Sequence, residues 1–232
     1  MTTIDLSTFR LSSGGHGDCF EGEACLIEAA TVIKGWEFTD HPDDHISPVI
    51  SAFCRRWNDD LDDEGRQQLK RYIDPDSPVN IYDTAGDGLD ERRAWMCADW
   101  LVRVHTPAWL DLAGITEAAQ ALRALPELRD LASLNVARPA IDDARKRGDA
   151  AGAAAGAAAW DAAGAAAGAA AWAAAGAAAW AAAGDAAGAA AWAAAGAAAW
   201  DAARAALEPT KVSLQESAHD LLARMIDPKE TA

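Results

Sequence analysis

The sequence predicts an all-α protein, and three observations support this. Apolar residues recur at helical spacing in several short segments before residue 147. Residues 148 to 204 contain 38 alanines, and alanine is the strongest helix former. Residues 209 to 226 again carry apolar side chains on one helical face. We therefore predict a helical N-terminal domain over residues 1–147. It is followed by a region, 148–232, with an Ala-rich helical repeat (148–204) and a C-terminal amphipathic capping helix (209–226).

The N-terminal domain is predicted as a series of short helices. The first covers residues 23 to 34 and ends before Gly35, a residue type that favours helix C-termini. The second begins at Ser47-Pro48, which match the preferences of the N-cap and first helical positions. Asp62 or Asp63 can cap a third. Residues 74 to 88 have turn composition, the strongest helical pattern covers residues 90 to 105, and shorter helices follow near residues 107–113 and 116–124. A short strand is expected near residues 4 to 11.

The repeat places Gly, Trp or finally Arg at every fourth position from residue 148 to 204. In an α-helix, a step of four residues turns about 40° beyond a full turn, so these positions wind around the helix and form no straight stripe. The residues expected to mediate repeat packing are Trp160, Trp172, Trp180, Trp192 and Trp200. Two origins remain open: an evolved packing pattern, or the expansion of a GC-rich twelve-nucleotide unit.

The charge limits the classes of partner. The chain has 36 acidic and 20 basic residues and a formal net charge of -16. Binding to nucleic-acid backbones or to anionic membranes depends on Lys and Arg, so we expect neither partner. Residues 162 to 184 carry no charge, but Ala and Gly gain little on transfer to lipid and Asp161 and Asp185 flank the segment, so no membrane span is predicted. The N-terminus lacks a secretory signal pattern, which predicts a cytoplasmic protein with reduced thiols.

A glycine-rich loop before the first helix contains the candidate chemical groups. His16, Cys19 and Cys25 offer imidazole and thiolate ligands of the kind that zinc prefers, although their spacing matches no standard zinc motif. Alternatively, Cys19 or Cys25 is a nucleophile, with His16 or His41 as its base and Glu28 or Asp40 as the orienting carboxylate. The structural alternative is that the cysteines are buried and the histidines solvated. No other cofactor is predicted.

An acidic run after the second predicted helix is the candidate binding patch. It offers Trp57 as an aromatic anchor together with four carboxylates, those of Asp59, Asp60, Asp62 and Asp63. The structural alternative is a solvated turn whose carboxylates cap the next helix.

Several motifs resemble one family of bacterial proteins. They are LSSGGH (residues 11–16), EGEACLIEA (21–29), TDHP (39–42), SPVISAFCRRWND (47–59) and RAWMCADWLVR (93–103), followed by the repeat. The resemblance is to uncharacterised actinobacterial and phage-borne proteins with C-terminal Ala/Trp/Arg repeats, some of which are labelled immunity proteins of toxin systems. It covers nearly the whole chain and carries no catalytic residues over. The chain departs from the family at residues 74 to 88 and in its glycine-rich repeat.

The predicted function is therefore that of a non-enzymatic, acidic interaction protein, an immunity or antitoxin protein that binds a basic effector. The first alternative is a structural protein that self-associates through its repeat. The second is a thiol- or zinc-dependent enzyme centred on the glycine-rich loop.

Overall fold

A computed structural model describes residue 6 and residues 9 to 17, 19 to 151 and 183 to 228; for residues 183 to 204 it describes the backbone alone. All regular elements within these residues are helices. The predicted all-α class is confirmed.

The helices are short in the first half of the chain and long in the second. In chain order they are α1 (Leu26–Lys34), α2 (Pro48–Asp60), α3 (Asp63–Gln67), a 3-10 helix (Gln68–Tyr72), α4 (Asp90–Trp100), a π-helical turn (Leu101–His105), α5 (Thr106–Leu112), α6 (Thr116–Arg123), α7 from residue 131 to at least residue 151, and α8 (Ala183–Ile226).

Contacts divide the chain into two compact units. The first unit comprises Met1–Asp99 together with Ala218–Ala232, and the second comprises Trp100–Ser217. The sequence predicts a boundary between residues 147 and 148, where the composition changes, and this boundary does not coincide with the division by contacts. Composition marks where alanine becomes dominant, whereas the compact units depend on which apolar side chains meet.

The start and stop signals of the first helices act as predicted. Gly35 ends α1 in the left-handed conformation, with φ of 69°. The Ser47 side chain accepts a hydrogen bond from the amide of Ile50 and so caps α2, while Pro48 occupies the first helical position. Asp62, one of the two predicted caps, accepts from the amide of Gly65 at the start of α3.

The core of the first unit is built mainly from four helical segments, with contributions from the loops that join them. Its buried apolar side chains include Leu26, Ile27, Ala29 and Ala30 of α1, Ile50, Cys54 and Trp57 of α2, Leu69 and Tyr72 of the 3-10 helix, Ile81 of the following loop, and Leu221, Leu222 and Met225 of α8. The end of α8 thus contributes to the same unit as the first 99 residues, in agreement with the predicted docking of an amphipathic C-terminal helix.

The second unit has a smaller core. Leu110 of α5 packs with Ala118, Ala119 and Leu122 of α6 and with Ala144 of α7. Gly114 joins α5 to α6 with φ of 76°, a conformation that glycine adopts without strain.

One prediction about secondary structure is tested only in part, and one is wrong. The strand expected near residues 4 to 11 lies partly outside the described residues; residues 9 to 11 are not in a strand, and the backbone of Leu11 instead hydrogen-bonds to the side-chain amide of Gln67. The capping helix does not begin at Pro209, since α8 runs continuously through this residue. Proline removes one hydrogen bond from a helix interior, but a long Ala-rich segment with high helix propensity precedes it and an amphipathic helical segment whose apolar face is buried follows it.

Most of the repeat lies outside the described residues. Trp160, Trp172 and Trp180 fall there, while Trp192 and Trp200 lie on the backbone of α8. The packing role of all five tryptophans therefore stays a prediction. Within the part of the chain that the structure describes, no helix is both long and apolar enough to cross a bilayer.

Candidate functional site

The carboxylate of Glu28 organises the glycine-rich loop. Glu28 lies in the first turn of α1 and is almost fully buried. Its Oε1 accepts from the amide of His16 at 2.9 Å, and its Oε2 accepts from the amide of Cys25 at 2.7 Å. Burial acts to raise the pKa of Glu28, but these two amides and the His16 ring outweigh it and hold this pKa below its ordinary value. Glu28 is therefore ionised at neutral pH.

His16 connects this buried carboxylate to a serine. The Nδ1 of His16 lies 2.7 Å from Oε2 of Glu28, and its Nε2 lies 3.0 Å from Oγ of Ser12. An ionised carboxylate accepts only, so Nδ1 carries a proton. In the neutral ring Nε2 then accepts from the Ser12 hydroxyl. Ser12, His16 and Glu28 thus form a continuous hydrogen-bonded chain, which we call the Ser12–His16–Glu28 chain.

Helix α2 holds the loop in place. Asn58 is fully buried; its Oδ1 accepts from the amide of Leu26 at 3.2 Å, and its Nδ2 donates to the carbonyl oxygen of Ser12 at 2.9 Å. Asp59 accepts from the amide of Gly14 at 2.7 Å. The loop is therefore attached to the start of α1 and to the last turn of α2. Asn58 and Asp59 of α2 together fix the position of Ser12.

The predicted zinc ligands do not gather into one group. Cys19 is exposed, and its Sγ lies 3.8 Å from a carboxylate oxygen of Glu21, whereas His16 and Cys25 both contact Glu28. Among the residues that the structure describes, no three His, Cys, Asp or Glu side chains lie close enough to share a metal ion.

The thiol chemistry predicted at Cys25 is opposed by its surroundings. Burial raises the pKa of Cys25 to about 12, and the neighbouring charge of Glu28 also raises it. The thiolate, which is the reactive form, is therefore scarce at neutral pH. His41 and Asp40, the other proposed base and carboxylate, both contact Arg55 and lie in a separate polar group.

Trp57 is not available as a surface anchor. Only 8% of its surface is exposed. Its ring packs against Phe53 at 5.5 Å between centroids and against His219 at 4.5 Å. The apolar face of α2 is turned into the core of the first unit, and Trp57 lies on that face.

The four carboxylates of the predicted patch already have partners within the chain. Asp59 holds the amide of Gly14, and Asp62 caps α3. Asp60 pairs with Arg56 at 3.0 Å, and Asp63 pairs with Arg66 at 2.6 Å. The structural interpretation of this run, a turn with helix caps, accounts for these contacts.

A different surface combines aromatic and acidic groups. Phe20 is 36% exposed, and its ring lies 6.3 Å from that of Phe38, which is partly buried. Glu21, Glu23 and Glu37 are neighbours of these rings in the chain, and all three are exposed. None of these glutamates forms an ion pair within the described residues. We call these five residues the Phe20 surface; sequence reasoning missed it because Phe20 and Phe38 are 18 positions apart, and only folding brings them together.

A second polar group surrounds His219 in α8. Its Nδ1 lies 2.8 Å from Oη of Tyr72 and 2.7 Å from Nη2 of Arg71. Burial and the charge of Arg71 lower the pKa of His219 to about 4, so the ring is neutral at pH 7. More than 140 residues separate the partners, and no sequence spacing indicates this contact.

Comparisons of the chain with known protein families, with curated proteins and with solved structures found no match.

Proposed function

We propose that the protein binds a basic protein through the Phe20 surface of its first unit and thereby neutralises that partner. The observation that carries this proposal is the exposed ring of Phe20, packed against the partly buried ring of Phe38, together with three exposed carboxylates near them in the chain that have no ion-pair partner among the described residues. The resemblance to proteins labelled as immunity proteins supports the same activity.

The distribution of charge supports a basic partner. The first unit contains 24 acidic and 11 basic residues, a net charge of -13, whereas the second unit carries -3. Opposite charge accelerates the encounter of two proteins, and salt screens this effect over about 10 Å at 0.1 M ionic strength. Association is therefore expected to slow as salt is added.

The aromatic pair would supply the affinity. Aromatic residues dominate the binding energy of interfaces when a partner excludes water from them, and truncating one to alanine typically costs about 2 kcal/mol or more. Carboxylates at the rim act mainly on the association rate. The proposal thus assigns different kinetic effects to Phe20 and to the three glutamates.

Affinity capture from the native host, followed by mass spectrometry and binding kinetics with the captured protein, tests the proposal. We expect a basic protein to bind stoichiometrically, Phe20→Ala to accelerate its dissociation, and the triple variant Glu21→Lys, Glu23→Lys, Glu37→Lys to slow its association. The matched control reverses three exposed carboxylates elsewhere, Asp76→Lys, Asp142→Lys and Glu216→Lys, with the same change in net charge.

Three results would contradict the proposal. They are the absence of a stoichiometric basic partner, unchanged kinetics in the Phe20-surface variants, and equal slowing by the control triple variant. A stable oligomer of the chain alone in analytical ultracentrifugation, lost on deletion of residues 148 to 204, would instead support self-association through the repeat.

A further inference from the structure

The Ser12–His16–Glu28 chain has the connectivity of a nucleophile, a base and an orienting carboxylate. We propose that it is an acyl-transfer site that hydrolyses small esters, with Ser12 as nucleophile and His16 as general base. This activity goes beyond the proposed partner binding. The proposal is based on two contacts of the His16 ring: Nε2 lies 3.0 Å from Ser12 Oγ, and Nδ1 lies 2.7 Å from Glu28 Oε2.

The distances match those of activated serines. A base must lie within hydrogen-bond distance of the nucleophile, and a third group must orient the base. Glu28 fulfils this third role from a buried position, where two backbone amides already fix its carboxylate. Glu28 is a positioning residue, because its contact with the reaction passes through the His16 ring.

The loop around Ser12 is open to a substrate. Ser13, Gly14, Gly15 and Gly17 are exposed, and no other side chain lies within 4 Å of the position that a Cβ would occupy on Gly14 or Gly17. The amides of Ser13 and Gly15 form no hydrogen bond within the described residues. The amide after a nucleophilic serine commonly stabilises the oxyanion, so Ser13 is placed to do so.

The reaction proceeds in two balanced steps. Ser12 Oγ attacks the ester carbonyl carbon while its proton moves to His16 Nε2; the bond to the alcohol oxygen then breaks, and Nε2 returns the proton to the departing alkoxide. Water next attacks the acyl-serine with Nε2 as base, the bond between the acyl carbon and Ser12 Oγ breaks, and the proton returns to Ser12. The carboxylate of Glu28 stays ionised and stabilises the imidazolium in both steps.

The charge of the first unit limits the substrate class. A net charge of -13 repels anionic esters, so neutral or cationic esters are expected to react. The neutral ester p-nitrophenyl acetate and the phosphorylating reagent diisopropyl fluorophosphate are suitable probes.

Adduct mapping on the intact wild-type protein is the first test. Attack by Ser12 on the fluorophosphate forms an O–P bond and releases fluoride, and peptide mass spectrometry locates the adduct. We expect one adduct, on Ser12. No adduct, or adducts on other residues instead of Ser12, would overturn the proposal without any reliance on a variant.

Kinetics with p-nitrophenyl acetate is the second test. Ser12→Ala and His16→Ala should each lower kcat/KM by about 100-fold or more. Glu28→Gln should lower kcat with KM unchanged. Cys19→Ser, which removes the exposed thiol that would react non-specifically, is the matched control and should retain full activity. Activity that survives in Ser12→Ala or disappears in Cys19→Ser, with circular dichroism unchanged, would overturn the proposal.

Discussion

The guanidinium of Arg93 donates a hydrogen bond to the carbonyl oxygen of Met225 at 2.9 Å, across 132 residues of sequence. Arg93 is fully buried, and its two terminal nitrogens also bind the carboxylate of Asp87 at 2.8 and 2.5 Å. Hydrogen bonds from Arg93 keep the pKa of Asp87 below its ordinary value. One side chain of α4 thus connects the loop before it to the last turn of α8 inside the first unit.

Substitution of Arg93 should destabilise the first unit strongly. Arg93→Met keeps roughly the same volume but leaves the carbonyl oxygens of Thr84 and Met225 without this donor and removes the cation paired with Asp87, so we expect the free energy of unfolding to fall by about 3 kcal/mol. Urea denaturation followed by circular dichroism measures this. Arg56→Met, which breaks the exposed pair with Asp60, is the control and should cost less than about 1 kcal/mol. Equal losses of unfolding free energy in the two variants would contradict the conclusion that Arg93 stabilises the first unit by connecting the loop before α4 to α8.

His219 should make stability depend on mildly acidic pH. Its pKa is about 4 in the folded chain because of burial and Arg71, against 6.5 in the unfolded chain, so between these values the unfolded state binds more protons. The contribution of neutral His219 to the free energy of unfolding is complete above pH 6.5 and is lost as the pH falls toward 4. His219→Asn retains an acceptor for Tyr72 but does not titrate.

Urea titrations of wild type and His219→Asn at two pH values measure this dependence. Between about pH 7.5 and about pH 5, the free energy of unfolding should fall by about 1 kcal/mol more in the wild type than in the variant. This is roughly half of the difference that the two pKa values alone would give over this pH range, because the ring is partly solvated. The other histidines are present in both proteins, so their contributions cancel when the two pH dependences are subtracted. An equal loss in both would show that His219 does not titrate with folding.

The four free thiols should differ sharply in reactivity. Cys19 is exposed, whereas burial raises the pKa of Cys25 to about 12 and of Cys97 to about 11, and raises that of the fully buried Cys54 as well. With Ellman's reagent near neutral pH, one thiol per chain should react rapidly in the native protein and all four in denaturant. Cys19→Ser should abolish the rapid phase. Rapid reaction of a second native thiol would be inconsistent with this burial.

Pro209 should limit the stability of α8. It lies exposed inside the helix and cannot donate the hydrogen bond that an ordinary residue would give to the preceding turn. Pro209→Ala should therefore raise the melting temperature, with a gain of up to about 3 kcal/mol in local helix stability. Thr210→Ala is the neighbouring control and should gain less than about 1 kcal/mol. A fall in melting temperature for Pro209→Ala would mean that the proline shape itself is required.

Local signals predicted the helices well, and contacts between distant residues were the part that sequence could not supply. The roles of Gly35, Ser47 and Asp62 follow from backbone chemistry within a few residues, which the sequence displays directly. The burial of Trp57 depends on Tyr72 and His219, which meet it only in the folded unit.

The candidate site follows the same rule. The pairing of Cys25 with Glu28 spans three residues and is a capping box, which sequence reasoning can find. The contact between His16 and Glu28 depends on how the glycine-rich loop folds back over α1, and Asn58 of α2 fixes that path. The sequence alone therefore does not single out Ser12, since nothing in its own neighbourhood distinguishes it from an ordinary loop serine.

The discontinuity of the first unit affects how the chain folds during synthesis. Its first 99 residues emerge from the ribosome 118 residues before the segment that begins at Ala218. At roughly 5 to 20 residues per second, translation of the intervening chain takes on the order of 10 s. During this interval the nascent chain lacks Leu221, Leu222 and Met225, and the surfaces that they cover stay open to chaperones. A chain that ends within the repeat would lack these three side chains, so the core of its first unit would be incomplete although all of its first 99 residues are present.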